Sequence, residues 1–190
     1  MEFSFEYFPA IETERLFMRE IIMGDLKDMY GIFSSENVMK YYGMFPIEDE
    51  VQAERLIRSF RQGFDDQKSI RWGITLKDTG EFIGTCGFHN MQMRSYRAEI
   101  GYEIAQTHWN KGYVTEAIHA MLEFGFGMLK LNRIEALVYP ENSSSHRALE
   151  KIGFVEEGLL REYAYFRECF TDLVMHSILK TDYLNRVLFE

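Results

Sequence analysis

The sequence predicts a single domain of mixed α/β class, in which helices pack on a central sheet. Segments with helical periodicity and segments with the alternation of strands follow one another, and neither an internal repeat nor a low-complexity linker divides them. Hydrophobic residues make up 46% of the 190 residues, which is enough to build a sizeable core. We therefore predict one domain over residues 1–190, with its core at about residues 11–180.

The first third of the chain predicts a strand followed by two amphipathic helices. The strand runs from Arg15 to Arg19, and Asp25 then opens a segment whose apolar residues recur at helical spacing. Pro46 and the acidic residues 48–50 suit the N-terminus of a second helix. The apolar stripes consist of Leu26, Met29, Tyr30 and Phe33 in the first helix and of Ala53, Leu56, Ile57 and Phe60 in the second.

The middle of the chain changes to the two-residue period of strands. Residues 70–76 alternate, residues 77–80 supply a turn, and residues 81–88 return, so we expect a hairpin. A further strand follows at residues 97–104, and its two faces differ in polarity. Its apolar face consists of Ala98, Ile100, Tyr102 and Ile104, and its polar face consists of Arg97, Glu99, Gly101 and Glu103.

The last third of the chain predicts two helices and three strands. Apolar residues recur at helical spacing after Gly112 and continue to Met128, and a strand follows at residues 134–138. Asn142 or Ser143 can cap a short helix that Gly153 ends. Residues 159–165 and 172–179 predict two final strands, and their alternation is the weakest in the chain.

Charge and the content of cysteine and histidine indicate which partners, compartment and ligands to expect. Lys and Arg number 21 against 30 Asp and Glu, a net charge of −9, so we expect no nucleic-acid partner and favour a cationic one. The N-terminus carries acids where a signal peptide needs basic residues, and no run of 18 residues is free of charge, so we expect no membrane association. The two cysteines, Cys86 and Cys169, fit the reducing cytoplasm. The five histidines lack ligand spacing, so we expect no metal.

The segment between residues 106 and 117 joins the acidic strand to the longest helix. A loop that enters a helix N-terminus presents free backbone N–H groups and the positive end of the helix dipole, which together favour an anion such as phosphate. Gly112 lets the backbone approach a ligand closely, and Lys111 adds a cation. The alternative is that Gly112 only eases a tight turn from strand to helix.

Two sequence motifs are each weak alone, but their occurrence in the same chain and in this order indicates a particular family. The first is Gly101-Tyr102-Glu103-Ile104 followed by Trp109-Asn110-Lys111-Gly112-Tyr113-Val114-Thr115-Glu116-Ala117. The second is Pro140-Glu141-Asn142-Ser143-Ser144-Ser145, followed by Ala148-Leu149-Glu150-Lys151-Ile152-Gly153-Phe154. In this order they resemble the motifs of the GNAT superfamily of N-acetyltransferases, in its RimJ/RimL-like branch. The likeness runs from about Ile11 to Leu179 and includes Thr13-Glu14-Arg15-Leu16.

The resemblance implies a fold and a cofactor. The fold is a single-domain GNAT fold with a mixed, mostly antiparallel sheet that is splayed at the cofactor site and flanked by helices. The co-substrate is acetyl-CoA, whose diphosphate falls on the loop of Trp109, Asn110, Lys111, Gly112, Tyr113 and Val114, with Thr115 at the helix start. Tyr102, Glu103 and Ile104 match the strand that pairs with the pantetheine amides, and Asn142 and Ser145 match contacts to the pantetheine arm and the departing thiol.

Several residues are candidates for the catalytic base and acid. Glu99 could act as the base with a raised pKa, or it could be a solvated residue or a partner of Arg97. The branch assigns its base to a position that matches Ala164, and Glu162 lies two residues earlier on what should be the same strand face. Ser145 is the candidate acid by resemblance, or else a helix cap. Tyr139 and Tyr165 are alternative acids.

The resemblance implies that the acceptor is a primary amine, which attacks the thioester of acetyl-CoA directly in a ternary complex. By resemblance the leading acceptor is the N-terminal α-amine of a ribosomal protein. The alternatives are a polyamine, an amino acid or an antibiotic, and, from another class, a non-catalytic domain that binds CoA or a protein partner. Acceptor specificity should lie in the helix pair at residues 25–62 and in the loop at residues 166–170. The aromatic N-terminus is expected to pack on the domain or to form a homodimer contact.

Overall fold

The computed structural model describes residue 5 and residues 7–189. Its strands are β1 (Ile11–Glu12), β2 (Leu16–Glu20), β3 (Ile70–Leu76), β4 (Phe82–Gln92), β5 (Arg97–Ile104), β6 (Arg133–Val138), β7 (Val155–Phe166) and β8 (Cys169–Leu179). Its helices are α1 (Leu26–Phe33), α2 (Glu36–Met39), α3 (Glu50–Asp65), α4 (Tyr113–Gly127), α5 (Ser143–Ile152) and α6 (Lys180–Phe189). The strands form one sheet in the order β1-β2-β3-β4-β5-β6-β8-β7. The predicted α/β class and the predicted succession of its main elements are confirmed.

Two apolar clusters hold helices against this sheet. The larger cluster includes Trp72, Phe88 and Met121, and it packs the strands against α4 and α5. The smaller cluster joins α1, α2 and α3 to the sheet through Phe82. At the N-terminus, the Phe5 ring lies 5.7 Å from the ring of Phe124. Phe8 packs on Phe64, with 4.8 Å between their centroids, so these two aromatic residues are used for packing within the domain. Phe3 lies outside the described residues.

The strand predicted at residues 159–165 is longer and more irregular than expected. It runs from Val155 to Phe166, and its pairing with β8 shifts register twice, between Glu156 and Gly158 and between Leu160 and Ala164. Glu162 lies in the second shift with a φ of 52°. Each shift breaks the alternation of side chains, which explains the weak pattern in the sequence.

The sheet opens at the junction of β5 and β6, its one parallel pair in the part of the chain that the structure describes. The two strands pair only at Arg97 with Arg133, Ala98 with Ile134 and Glu99 with Glu135. Beyond that point β5 stays paired with β4 as far as Ile104, while β6 stays paired with β8 as far as Val138. The edges of the two strands therefore diverge and leave a wedge between them. This opening agrees with the splayed sheet that the resemblance implies.

None of the helices that the structure describes is both long enough and apolar enough to cross a bilayer.

Candidate functional site

A cavity of about 360 Å³ lies in the wedge between β5 and β6. Its aromatic lining consists of Tyr41, Tyr42, Phe60, Phe88, Tyr102 and Tyr139, and its polar lining of Ser69, Arg71, His89, Asn142 and Ser145. The structure thus brings together three residues that the sequence predicted separately, namely Tyr102, Asn142 and Ser145. Tyr139, an alternative acid, lines the same cavity, whereas Tyr165 is exposed and does not.

Beside the cavity lies a buried ionic network that the sequence did not reveal. The Arg71 guanidinium pairs with the Glu103 carboxylate, and both side chains are buried. Thr85 donates its hydroxyl hydrogen to the same carboxylate, and Arg71 Nη1 donates to the Gly101 carbonyl at 3.1 Å. The side chain of Glu103 is therefore committed to holding β3, β4 and β5 together, which leaves only its backbone for a ligand.

The Glu99 carboxylate lies next to this network on the same face of β5. Asn90 donates a hydrogen bond to it, and His89 Nε2 lies 3.4 Å from Glu99 Oε2. The hydrogen bond from His89 lowers the pKa of Glu99 despite partial burial, and Asn90 lowers it further. The expectation of a raised pKa is therefore wrong. Arg97, offered as a partner for Glu99, instead pairs with Glu135 at 2.6 Å.

His89 is the side chain that faces the cavity at this position, and Glu99 lies behind it. The imidazole lines the cavity and its side chain is 49% exposed, while Glu99 is 7% exposed and is absent from the lining. A carboxylate next to an imidazole orients the ring and stabilises its protonated form, so such a pair is suited to accept a proton from a substrate. His89 was not among the predicted site residues, because the strand was expected to end at Phe88. In the observed register His89 lies directly opposite Glu99.

Tyr102 and Ser145 form a hydroxyl pair at the α5 side of the cavity. The Tyr102 hydroxyl is buried without a hydrogen bond of normal geometry, and Ser145 is its polar neighbour. Burial raises the pKa of Tyr102 to about 12, although Ser145 acts in the opposite direction. Ser145 does not cap the helix, because Asn142 does so by accepting a hydrogen bond from the Ser145 backbone N–H at 3.3 Å. The Tyr102 hydroxyl therefore keeps its hydrogen near neutral pH and lies beside Ser145 at this end of the cavity.

The predicted anion loop lies outside the cavity, at the N-terminus of α4. The helix begins at Tyr113 rather than at Thr115, because Gly112 adopts a φ of 81° and forms its N-cap. Asn110 also has a positive φ, of 61°. Such left-handed turns ahead of a helix aim backbone N–H groups at a common point. Val114 packs on the core, so its side chain leaves that backbone accessible.

Two further contacts fix this loop. The Trp109 indole donates a hydrogen bond to the Ile104 carbonyl at 2.7 Å, which ties the loop to the end of β5. Arg15 donates to the Lys111 carbonyl at 3.0 Å and pairs with Glu116 in the first turn of α4. Arg15 therefore holds the loop in place from a segment near the N-terminus.

Glu162 is not brought to the cavity. It is exposed, and its backbone N–H is bonded to the Asp172 carboxylate at 2.7 Å. The expectation that it shares a strand face with Ala164 fails because of the register shift between Leu160 and Ala164.

The fold and the site together fit an elongated ligand with phosphate at one end and a reacting group at the other. The N-terminus of α4 offers backbone donors to the phosphates. The open edge of β5 offers unpaired backbone groups to amides, in the manner of an added strand. The cavity offers hydroxyl and imidazole groups to the reacting end. This set of donors is what acetyl-CoA requires.

Comparison with known proteins agrees with this architecture. Residues 15–155 match the family described as the acetyltransferase (GNAT) domain. The uncharacterized N-acetyltransferase YoaA of Bacillus subtilis is 42% identical over 173 residues, which cover 91% of this chain and 98% of YoaA. YdaF of Bacillus subtilis, provisionally named a ribosomal N-acetyltransferase, is 32% identical over 143 residues, with coverage of 75% and 77%. Spermidine N-acetyltransferase from Vibrio cholerae, solved with CoA and spermine, superposes with a TM-score of 0.79 at 27% identity, covering 91% of this chain and 100% of that one.

The chain belongs to the GNAT acetyltransferase family. It is an acetyl-CoA-dependent N-acetyltransferase with the single-domain, open-sheet fold of that family.

Proposed function

We propose that this enzyme acetylates the N-terminal α-amine of a protein, with a ribosomal protein as the leading acceptor. The observation that carries this proposal is the charge of the cavity. Among the described residues that line it, none is Asp or Glu, while Arg71 contributes a guanidinium. A peptide N-terminus brings one ammonium group followed by neutral amides, which suits such a lining.

A polyamine would be held poorly in the same cavity. Spermidine carries further ammonium groups besides the one that reacts, and each would lose its hydration without gaining a carboxylate from the lining. The Arg71 guanidinium is already paired with Glu103, so this pair offers a further ammonium group no compensation. The structurally similar enzyme from Vibrio cholerae is named a spermidine N-acetyltransferase. Spermidine is therefore included as a competing acceptor in the test below.

The proton chemistry of the cavity favours the same acceptor. Only a neutral amine attacks a thioester, and at pH 7 about 10% of an α-amine is neutral, against about 0.04% of a lysine-like amine. Imidazole is the side chain best suited to exchange a proton near neutral pH. In our proposal His89 takes the proton of the acceptor amine, and the ionised Glu99 behind it stabilises the resulting imidazolium.

The residues that would hold acetyl-CoA follow from the same geometry. When bound, acetyl-CoA supplies the acetyl group as a thioester. The backbone of residues 109–115 would hold its diphosphate, and Tyr102, Glu103 and Ile104 would offer backbone groups to the pantetheine arm. Asn142 orients the first turn of α5. Ser145 and Tyr102 keep hydroxyl hydrogens at the end of the cavity where a thiol would depart.

Steady-state thiol release tests the proposal. The substrates are peptides with a free N-terminus, the same peptides with a formylated N-terminus and an internal Lys, and spermidine. We expect kcat/KM for the free peptides to exceed that for spermidine by at least about 10²-fold near pH 7, as the neutral fractions predict. The formylated peptides should be inert. Faster turnover of spermidine would contradict the assignment of the acceptor, and a failure to bind acetyl-CoA in calorimetry would contradict the assignment of the cofactor residues.

A further inference from the structure

Three side chains outside the cavity meet on the α5 face of the sheet. They are His146 from α5, Glu156 from β7 and His176 from β8, and one ligand atom from each lies within 4.8 Å of the other two. Glu156 and His176 are directly paired neighbours on adjacent strands, so their side chains rise side by side towards the helix. His176 is 3% exposed, whereas Glu156 reaches solvent.

The hydrogen bonds of this cluster fix the protons on both imidazoles. His146 Nε2 lies 3.2 Å from the Tyr139 carbonyl, which can only accept, so this nitrogen carries a hydrogen. His146 Nδ1 then accepts from His176 Nε2 at 2.9 Å. His176 Nδ1 is left unprotonated, buried and without a partner. This nitrogen is therefore a vacant protonation site on the same ring.

We propose that His146, Glu156 and His176 form a binding site for Zn²⁺ with a water molecule as the fourth ligand. Two imidazoles and one carboxylate are a ligand set that zinc accepts in tetrahedral geometry. Tetrahedral ligands at about 2.0–2.1 Å from zinc lie about 3.3 Å apart, so the two facing nitrogens need to separate by only a few tenths of an ångström from their present 2.9 Å.

Binding requires no net loss of a proton. The hydrogen on His176 Nε2 moves to the unpartnered Nδ1 of the same ring, and the freed lone pair at Nε2 becomes the ligand. His146 binds through Nδ1 and keeps its Nε2–H bond to the Tyr139 carbonyl. Metal-bound histidines characteristically donate their second N–H to such an acceptor, which orients the ring.

Zinc in this position would tie α5 to β7 and β8. His146 follows Ser145 directly, and Tyr139 lines the cavity, so the ion would stiffen the segment that carries both. The site is separate from the proposed proton path through His89 and Glu99, and the proposal does not depend on the identity of the acceptor. It revises the expectation of no metal, which rested on spacing along the sequence. The three ligands come from three elements and leave no local motif.

Calorimetric titration of the full chain with Zn²⁺, after treatment with EDTA and dialysis, tests the site. We expect one ion to bind per chain with micromolar or tighter affinity. Glu156→Gln, a change at an exposed residue that leaves the core intact, should weaken binding by about 10-fold or more, and His146→Gln should weaken it further. His119→Gln, at an exposed histidine of α4 outside the cluster, is the matched control and should bind as the wild type does.

Titration with Co²⁺ gives a second readout that does not depend on stability. Tetrahedral coordination by nitrogen and oxygen gives a visible absorption band, which we expect at the same Co²⁺ concentration in the wild type and in His119→Gln but only at a higher concentration in Glu156→Gln. The proposal is overturned if the wild type binds no Zn²⁺ at micromolar concentration. It is equally overturned if Glu156→Gln and His146→Gln bind Zn²⁺ as tightly as the wild type, since the ion would then lie elsewhere.

Discussion

At the scale of single residues, the pair of His89 and Glu99 decides how the cavity handles protons. Glu99 could be predicted from the polar face of its strand, but the direction of its pKa shift depends on His89 and Asn90, which the pairing of β4 with β5 brings beside it. A register of that kind is set by the turn and the bulge at residues 89–92, and neither is legible in the residue pattern. The carboxylate could thus be predicted, and its role could not.

Replacing the imidazole should slow the chemical step. For His89→Gln we expect kcat to fall by about 10²–10⁴-fold, the usual contribution of a positioned base, while the Kd of acetyl-CoA stays the same. His119→Gln is the control for the loss of an exposed histidine. Thiol release measures kcat and calorimetry measures Kd. An unchanged kcat in His89→Gln would show that His89 is not the base that accepts the proton of the acceptor amine.

The pH dependence tests the partner of that imidazole. The pKa of Glu99 is lowered, so its carboxylate is ionised throughout the neutral range, and its contribution to stability is lost only as pH falls through that lowered value. In Glu99→Gln the imidazolium that forms during the reaction loses its counter-charge, so kcat should fall throughout the neutral range, where the wild-type carboxylate stays ionised. If Glu99→Gln keeps the wild-type kcat across that range, Glu99 does not act through His89.

At the scale of elements, the Arg71 network joins three strands beside the cavity. Removing one partner of a buried ion pair leaves the other charge buried and unpaired. Arg71→Ala should therefore lower the free energy of unfolding by about 3–5 kcal/mol. Arg61→Ala breaks exposed pairs with Glu20 and Asp65 and should cost less than about 1 kcal/mol. Urea denaturation followed by circular dichroism compares the two variants. Equal losses would mean that the network contributes no more than a surface pair.

The loop before α4 is the second element whose geometry can be tested. Gly112→Asp places a side chain on a backbone with a φ of 81° and adds a negative charge beside the proposed diphosphate site. We expect the Kd of CoA to rise by about 10-fold or more, since 1.4 kcal/mol of lost attraction suffices for that change. Gly31→Asp, at an open position in α1, is the control. Equal CoA affinity in the two variants would place the diphosphate elsewhere.

At the scale of the whole molecule, the opening of the sheet is what makes the site. The order of strands and helices could be predicted because Ile70, Trp72 and Ile74 alternate and Ala117, Met121 and Phe124 recur at helical spacing. The wedge itself arises because β5 and β6 share only three residue pairs before they part. Contacts between distant segments, such as Arg15 with Glu116 or His146 with His176, leave no periodic trace in the sequence. Acetyl-CoA was predicted from the resemblance to the family, whereas the charge of the cavity lining could be determined only from the structure.

Mass spectrometry of one competition reaction tests the central claim most directly. A peptide with a free N-terminus and an internal Lys is mixed with an equal concentration of spermidine, acetyl-CoA and the enzyme near neutral pH. Because the described residues that line the cavity include an imidazole and an arginine but no carboxylate, we predict a single acetyl group on the peptide α-amine and unmodified spermidine. Acetylation of spermidine, or of the Lys side chain ahead of the α-amine, would contradict the account.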